Sequence, residues 1–394
     1  MRFSGRRRSF TLFFVAVALA ALGGGALFSR LRAQETRETR EIAPGLTLLS
    51  VSTQTPSGPL RFWLVKAEKA RWKLGLEVAD ASDVIKKRSV RSLAAQSGAM
   101  VAINGGFFAY GGAAVGGVKV GGEWHRLPWK NRTALGWNEK DAQIGPQSGR
   151  CELQLSLQNG EIQTQDAALN GFSLPGSHAP LTDGFAVLTR RFAAKYTLKT
   201  GEIALYATPV IFTDGHTKTV WMTLPIDARE VTLPANDFVL IARGPAAALA
   251  PQIRSASWKV VPSPAWDEFP HILGAGPRLV SNSVAKTNEV EEEFRPDVTA
   301  RGPRTAVGFD AQRNWLFLVA DGRQAASVGL SLPETAALFQ QLGAVEAMNL
   351  DGGSSTQLVI SGELINTPSG YDPVNPLRPR EVQVTNALTL KAAP

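Results

Sequence analysis

Ser331–Ser355 reads SLPETAALFQQLGAVEAMNLDGGSS, and the fold class can be argued from this one stretch. The Ser331 hydroxyl and the Glu334 carboxylate are spaced as a reciprocal helix cap. Pro333 falls in the first turn, where its missing N–H costs nothing. Ala337, Leu338, Phe339 and Leu342 give an apolar face, so the spacing predicts a helix over Glu334–Leu342 that stops at Gly343. Val345–Leu350 is then too short and too apolar for anything but a buried strand. It ends abruptly in Asp351-Gly352-Gly353-Ser354-Ser355, which places one carboxyl, two flexible residues and two hydroxyls at a strand terminus.

The same order of elements recurs upstream. Ser89–Ser97 predicts a helix stopped by Gly98, Met100–Ile103 a short strand, and Asn104-Gly105-Gly106 the turn. A hexapeptide recurs as well: Arg132-Thr-Ala-Leu-Gly-Trp137 and Arg304-Thr-Ala-Val-Gly-Phe309 each open a strand. These echoes predict an α+β fold, a mixed β-sheet core with a few packed helices and pseudo-symmetric halves. Arg61–Lys66 and Trp72–Val78 read as a pair of strands, and Trp315–Ala320 (WLFLVA) as a strong strand. Residues 150–275 hold short alternating runs with Pro, Gly and Asp turns, which predicts a β-rich insertion framing a cleft, with one helical turn at Ala246–Ala250. The folded domain is expected over 60–394, with 34–59 a polar tether.

The net charge of +8 invites a nucleic-acid reading, but its distribution argues against one. Residues 1–33 carry six arginines and no acid, so removing them from +8 leaves +2 on the rest. No basic stripe with interleaved aromatics remains to follow a phosphate backbone. Arg6-Arg7-Arg8 ahead of the apolar run Phe10–Phe28 reads as an export signal. A retained anchor over residues 10–28 fits the same pattern, because the run approaches the ~20 residues that span a bilayer. The chain is therefore expected to act as a periplasmic, cell-surface or secreted protein, touching membrane only through this segment.

Cys151 is the single cysteine and opens the alternating run Cys-Glu-Leu-Gln-Leu-Ser-Leu, which predicts a buried strand residue and not a nucleophile. Only four histidines are present, so the usual Cys/His zinc spacings are missing. Chemistry must come from carboxylates, amides, hydroxyls and guanidinium groups. Asn104 leads into Gly105-Gly106, whose backbone N–H groups are expected to point into an open site. Asp321-Gly322-Arg323 ends the WLFLVA strand and sets opposite charges two residues apart. Asp351 enters Gly352-Gly353-Ser354-Ser355, a loop able to cradle phosphate while presenting one carboxyl. It lacks the lysine of a nucleotide-binding P-loop. Arg304, Arg378 and Arg380 lie in glycine- and proline-rich segments, and arginine pairs with phosphate through two parallel hydrogen bonds. Asp and carbonyl oxygens would suit calcium or magnesium, so a divalent cation is an open cofactor.

Taken in order, Asn104-Gly-Gly-Phe-Phe, Gly274-Ala-Gly-Pro-Arg-Leu-Val, Pro303-Arg-Thr-Ala-Val-Gly, Asp321-Gly-Arg, Gly329-Leu-Ser-Leu and Asn349-Leu-Asp-Gly-Gly-Ser-Ser resemble the phosphodiester glycosidase family. Arg380-Glu-Val and Asn386-Ala-Leu resemble its closing motif, and the likeness runs from about Leu60 to Leu390. The chain departs from the family's third loop glycine, since Ser354 directly follows Gly353. The resemblance implies hydrolysis of a sugar-1-phosphodiester at the anomeric C–O bond, on a phosphorylated glycan or related substrate. By position it implies site roles for Asn104, Arg304, Asp321, Arg323, Asp351, Ser354 and Arg380. In that reading the arginines and the Ser354–Ser355 hydroxyls hold phosphate, and Asp321 and Asp351 face the sugar. Two other functions suit the same residues: a non-catalytic module that grips glycopolymers, and a phosphodiesterase that cleaves P–O.

Overall fold

The computed structural model describes residues 35–79, 87–109, 111–174, 179–211, 217–223, 229–370 and 380–394. The arginine-rich leader and Arg378 lie outside the described residues. The fold is α+β and dominated by strands. An eight-stranded antiparallel sheet runs in the order Thr36–Ala43, Leu46–Thr55, Gly58–Ala67, Trp315–Ala320, Arg304–Asp310, Ala344–Asn349, Arg278–Ser281, Val284–Ala285. A five-stranded sheet contains Val101–Asn104 between Leu358–Ile360 and Asn386–Ala392, with Trp72–Val78 at one edge. A second five-stranded sheet contains Thr133–Trp137 and His271–Gly274. The expected β-rich middle segment forms a seven-stranded sheet of its own, drawn from strands between Gly149 and Pro262.

Alternation explains how the layers stack. Trp315, Phe317 and Val319 point from the eight-stranded sheet into the central core, where they meet Ile103, Leu135 and Leu388 from both five-stranded sheets. Leu316, Leu318 and Ala320 point the other way, onto Leu332, Ala336 and Phe339 of the helix Leu332–Gln341. A strand covered on both faces reads as an unbroken apolar run, which is the pattern of WLFLVA. That helix carries the reciprocal Ser331–Glu334 cap. The helix Val90–Ser97 is capped by Ser89 and closed by Gly98 in the left-handed conformation, as its sequence predicts. Ala246–Ala250 lies in a 3-10 helix, Gly244–Gln252. Cys151 is fully buried in the insertion's core, and burial pushes its thiol up to about 12.

Three expectations are corrected. Residues 34–59 are not a tether, because Thr36–Ala43 and Leu46–Thr55 are strands. Thr36–Ala43 is an exposed sheet edge with polar residues on both faces, so it shows no apolar periodicity. Arg61–Lys66 and Trp72–Val78 are strands but not partners: the first pairs with Leu46–Thr55 and Trp315–Ala320, the second with Asn386–Ala392. The echoed segments also keep only their local order. Arg304–Asp310 pairs directly with Ala344–Asn349, whereas Thr133–Trp137 and Val101–Asn104 belong to different sheets. The likeness is in strand ends and caps, and symmetric halves do not emerge from the strand pairing.

Candidate functional site

The two glycine-paired loops meet in space, and backbone pairing brings them there. Ala306 lies opposite Asn349 in register, so the end of Ala344–Asn349 delivers Asp351 beside Pro303–Thr305. Leu350 N–H donates to the Thr305 carbonyl at 2.9 Å and Gly353 N–H to the Pro303 carbonyl at 3.0 Å. From the other side Asp351 N–H donates to the Gly105 carbonyl at 3.0 Å. The result is a recess of about 250 Å³ lined by Phe107, Asn349, Asp351, Arg304, Arg323 and the Gly352–Ser355 loop, together with Asp297, Val298, Ala300, Gly302 and Pro303.

Asp351 is the expected carboxyl that faces this recess. Its carboxyl is enclosed by protein on all but the recess side, and that desolvation pushes it up to about 7, against the Ser355 hydroxyl and the Gly352 N–H that stabilise its charge. Arg323 also lines the recess, is exposed, and forms no ion pair among the described residues. Its backbone is held at φ 58, a left-handed conformation that a non-glycine residue occupies at a cost. Gly352, Gly353, Ser354 and Ser355 complete the lining as expected.

The remaining expected residues have other work. Arg304 borders the recess, but its guanidinium is spent on backbone: Nε donates to Leu330 O at 3.0 Å, one terminal nitrogen to Val298 O at 2.8 Å, and the other to Thr299 O at 3.0 Å and to Ala300 O. Burial, reinforced by the charges of Arg323 and Arg301, lowers it to about 10, so it stays protonated at neutral pH. Arg304 therefore clamps the recess wall, leaving little of its fork for a phosphate. Asp321 is buried away from the recess. Its carboxylate accepts from Asn366 Nδ2 at 3.1 Å and from Thr367 N–H at 3.0 Å, and burial raises its pKa above the usual range. The Asn366 amide also donates to Thr356 O at 3.1 Å and accepts from Leu358 N–H at 2.8 Å, so Asp321 braces the far end of the Gly-Ser loop.

Asn104 is fully buried and acts as a strut. Its Nδ2 donates to the Asp351 carbonyl at 2.6 Å, and its Oδ1 accepts from Thr305 Oγ1 at 2.7 Å and from Gln357 N–H at 3.1 Å. Gly105 and Gly106 do not open their N–H groups to the site, because Asn386 takes both, through its carbonyl and its Oδ1. A Cβ on Gly105 would sit 2.0 Å from that Oδ1, so close approach is what requires glycine there. Arg380 is exposed, pairs with Gly370 through its backbone, and does not line the recess. Phe107, Thr305, Asn366 and Asn386 went without roles in the sequence reading. Only their neighbourhood to glycines signals them, since amide struts and lining rings have no periodicity. Among the described residues, no three His, Cys, Asp or Glu side chains gather where they could hold a metal ion. No helix among those residues is long and apolar enough to cross a membrane.

Residues 213–390 match the family model described as phosphodiester glycosidase. Over 90 residues the chain is 40% identical to N-acetylglucosamine-1-phosphodiester alpha-N-acetylglucosaminidase of Mus musculus, a stretch covering 23% of this chain and 17% of that protein. The human protein of the same name is 34% identical over 104 residues, covering 26% of this chain and 20% of its own length. The chain thus matches about a fifth of the length of these relatives. Among solved structures, a hypothetical protein from Synechocystis shares the fold with a TM-score of 0.71 at 24% identity, over 92% of this chain and 64% of that one. The resemblance to the phosphodiester glycosidase family stands, and it is carried by the segment that holds Arg304, Asp321, Arg323 and Asp351.

Proposed function

We propose that this chain hydrolyses sugar-1-phosphodiesters, breaking the anomeric C–O bond to release a free sugar and a phosphomonoester. The observation that carries the reading is Asp351, an enclosed carboxyl on a recess also lined by Arg323, whose guanidinium forms no ion pair among the described residues. A phosphomonoester leaves readily, so the reaction needs little proton donation to the departing oxygen. It needs stabilisation of positive charge growing on the sugar and of negative charge growing on the phosphate. Arg323 and the Ser354 hydroxyl are suited to the phosphate, since both line the recess and Arg323 has no acidic partner among the described residues.

The Asp351 carboxylate is suited to the sugar side. Water attacks the anomeric carbon, its proton passes to the Asp351 carboxylate, and the C–O bonding pair departs on the phosphate oxygen. A carboxyl near neutrality is well matched to take that proton at ambient pH. Arg304 and Asn104 contribute by holding the wall and the loop, and Asp321 by bracing Asn366 and Thr367. The basic, apolar N-terminal segment supports action outside the cytoplasm, on glycans of the cell envelope or its surroundings. The test is hydrolysis of a sugar-1-phosphodiester in isotopically heavy water. Heavy oxygen in the sugar supports C–O cleavage, heavy oxygen in the phosphate means P–O cleavage, and no reducing sugar at all leaves a binding module.

A further inference from the structure

Two residues that line the recess keep chemically different company. Arg323 packs against Gly353 and Gly302: Cβ atoms built on those glycines would lie 3.2 and 3.4 Å from its guanidinium. Phe107, the one aromatic residue of the lining among the described residues, is half-buried, with its ring centroid 5.6 Å from that of Phe294. The Arg132 guanidinium lies 4.0 Å from the Phe294 ring centroid and is itself tied to the carbonyls of Glu292 and Glu293 at 3.0 Å each. Phe107 is therefore propped by a ring, which a cation on a fixed loop props in turn.

Asn349 shares the neighbours of Phe107. Its Nδ2 donates to Gly276 O at 3.0 Å and to Leu350 O at 2.6 Å, which fixes the amide orientation, because both partners are acceptors. Its Oδ1 is buried without a hydrogen-bond partner among the described residues, and it is the one polar atom of this recess-lining side chain left unengaged. Gly276, held at φ 100, joins this group to the aromatic pair: a Cβ there would meet the Phe294 ring at 3.3 Å and Glu292 Oε2 at 2.5 Å. An aromatic face beside an acceptor-only amide is the chemistry that takes a pyranose, whose C–H side stacks on rings and whose O–H or N–H groups donate.

We propose that Phe107 and Asn349 form the sugar subsite, with Phe107 stacking on the C–H face of the pyranose and Asn349 Oδ1 accepting from a ring hydroxyl or acylamino N–H. The assignment rests on the glycosidase reading for its substrate class, and it adds which residues of the recess hold the sugar. It also makes Asn349 a specificity device: the site accepts a donor there and rejects a fluoro group of similar size or a larger methoxy group.

The experiment is a titration of the intact chain with glucose 1-phosphate, N-acetylglucosamine 1-phosphate and inorganic phosphate, in wild type, Phe107→Leu and Phe107→Tyr. The subsite predicts that Phe107→Leu weakens sugar-phosphate binding by about tenfold, leaves inorganic phosphate binding within about twofold, and is rescued by Phe107→Tyr. On the wild-type chain, which cannot be misfolded, sugar phosphates with each hydroxyl singly O-methylated should show one position that costs about a hundredfold. Asn349→Ala, if folded, should erase that single discrimination. Equal losses for sugar phosphate and phosphate in Phe107→Leu, no loss for either, no sugar-phosphate binding at all, or uniform tolerance of O-methylation would each overturn the subsite. Hydrolysis without the binding split sinks the subsite and leaves the glycosidase reading standing. The split without hydrolysis does the reverse.

Discussion

Asp351→Asn should cost activity and add stability, and the balance should depend on pH in a way the structure dictates. Burial lifts the Asp351 carboxyl from 3.8 to about 7. Below about pH 4 it is protonated in both the folded and the unfolded chain, so it contributes nothing to the difference. As pH rises from about 4 to about 7, the unfolded chain gives up the proton and the folded chain keeps it, so the folded state loses stability throughout this window. Above about pH 7 the folded chain carries the charge and the full penalty, about 4 kcal/mol from the size of the displacement. That figure is a ceiling, because water in the recess screens the open side of the carboxyl. A neutral asparagine keeps the volume and avoids the penalty. The variant should match wild type in urea unfolding near pH 4 and exceed it by about 2–3 kcal/mol near pH 8. In the same preparations, wild-type kcat/KM should climb with pH through a midpoint near 7 to a plateau above it as the carboxylate forms, and the variant should fall by about 10³-fold or more. A stability gap that stays constant with pH, or one that shrinks above neutrality, would refute the enclosed-carboxyl argument, whatever the activity does.

The two arginines of the recess should separate cleanly. Arg304→Lys cannot reproduce a fork serving four carbonyls and should destabilise the chain by about 2–3 kcal/mol in thermal or urea unfolding. Arg323→Ala should leave the melting temperature within a degree or two and weaken inorganic phosphate binding by about tenfold, read by titration. Asp321→Ala leaves the Asn366 amide and the Thr367 N–H without their acceptor and should cost about 1–3 kcal/mol of stability, yet the folded protein should keep turnover within about tenfold. A loss as deep as that of Asp351→Asn would put Asp321 back into the chemistry. Prolonged chelation should leave the hydrolytic rate unchanged, since among the described residues the recess offers only Asp351 and Asp297, the latter paired with Arg295, and no cluster of metal-binding side chains.

Much of the fold is legible in local sequence because its signals are local. The Ser331–Glu334 cap, the Gly98 stop, the strand at Trp315–Ala320 and the buried strand position of Cys151 depend on residues within a turn of each other. The edge strand Thr36–Ala43 was illegible for the opposite reason: with six exposed residues in a row it has no face to bury, and only pairing with Leu46–Thr55 makes it a strand. Residue types for the site were legible too, as a Gly-Ser loop with one acid, an amide ahead of paired glycines, and a carboxylate–guanidinium pair at a strand end.

The division of labour among those residues was decided by tertiary structure. Sequence alone established an α+β chain with a β-rich middle and two polar loops at the ends of buried strands. It treated Asp321 and Asp351, and Arg304 and Arg323, as equals, because a strand-end acid or arginine looks the same whatever its partners. Partners separated in sequence broke the tie. Thr367 and Asn366 engage Asp321, backbone carbonyls 298–300 and 330 occupy Arg304, and Asn386 takes the N–H groups of Gly105 and Gly106. What is left facing the recess is set by which polar groups the rest of the chain has failed to satisfy, and that is a property of packing, not of any one segment.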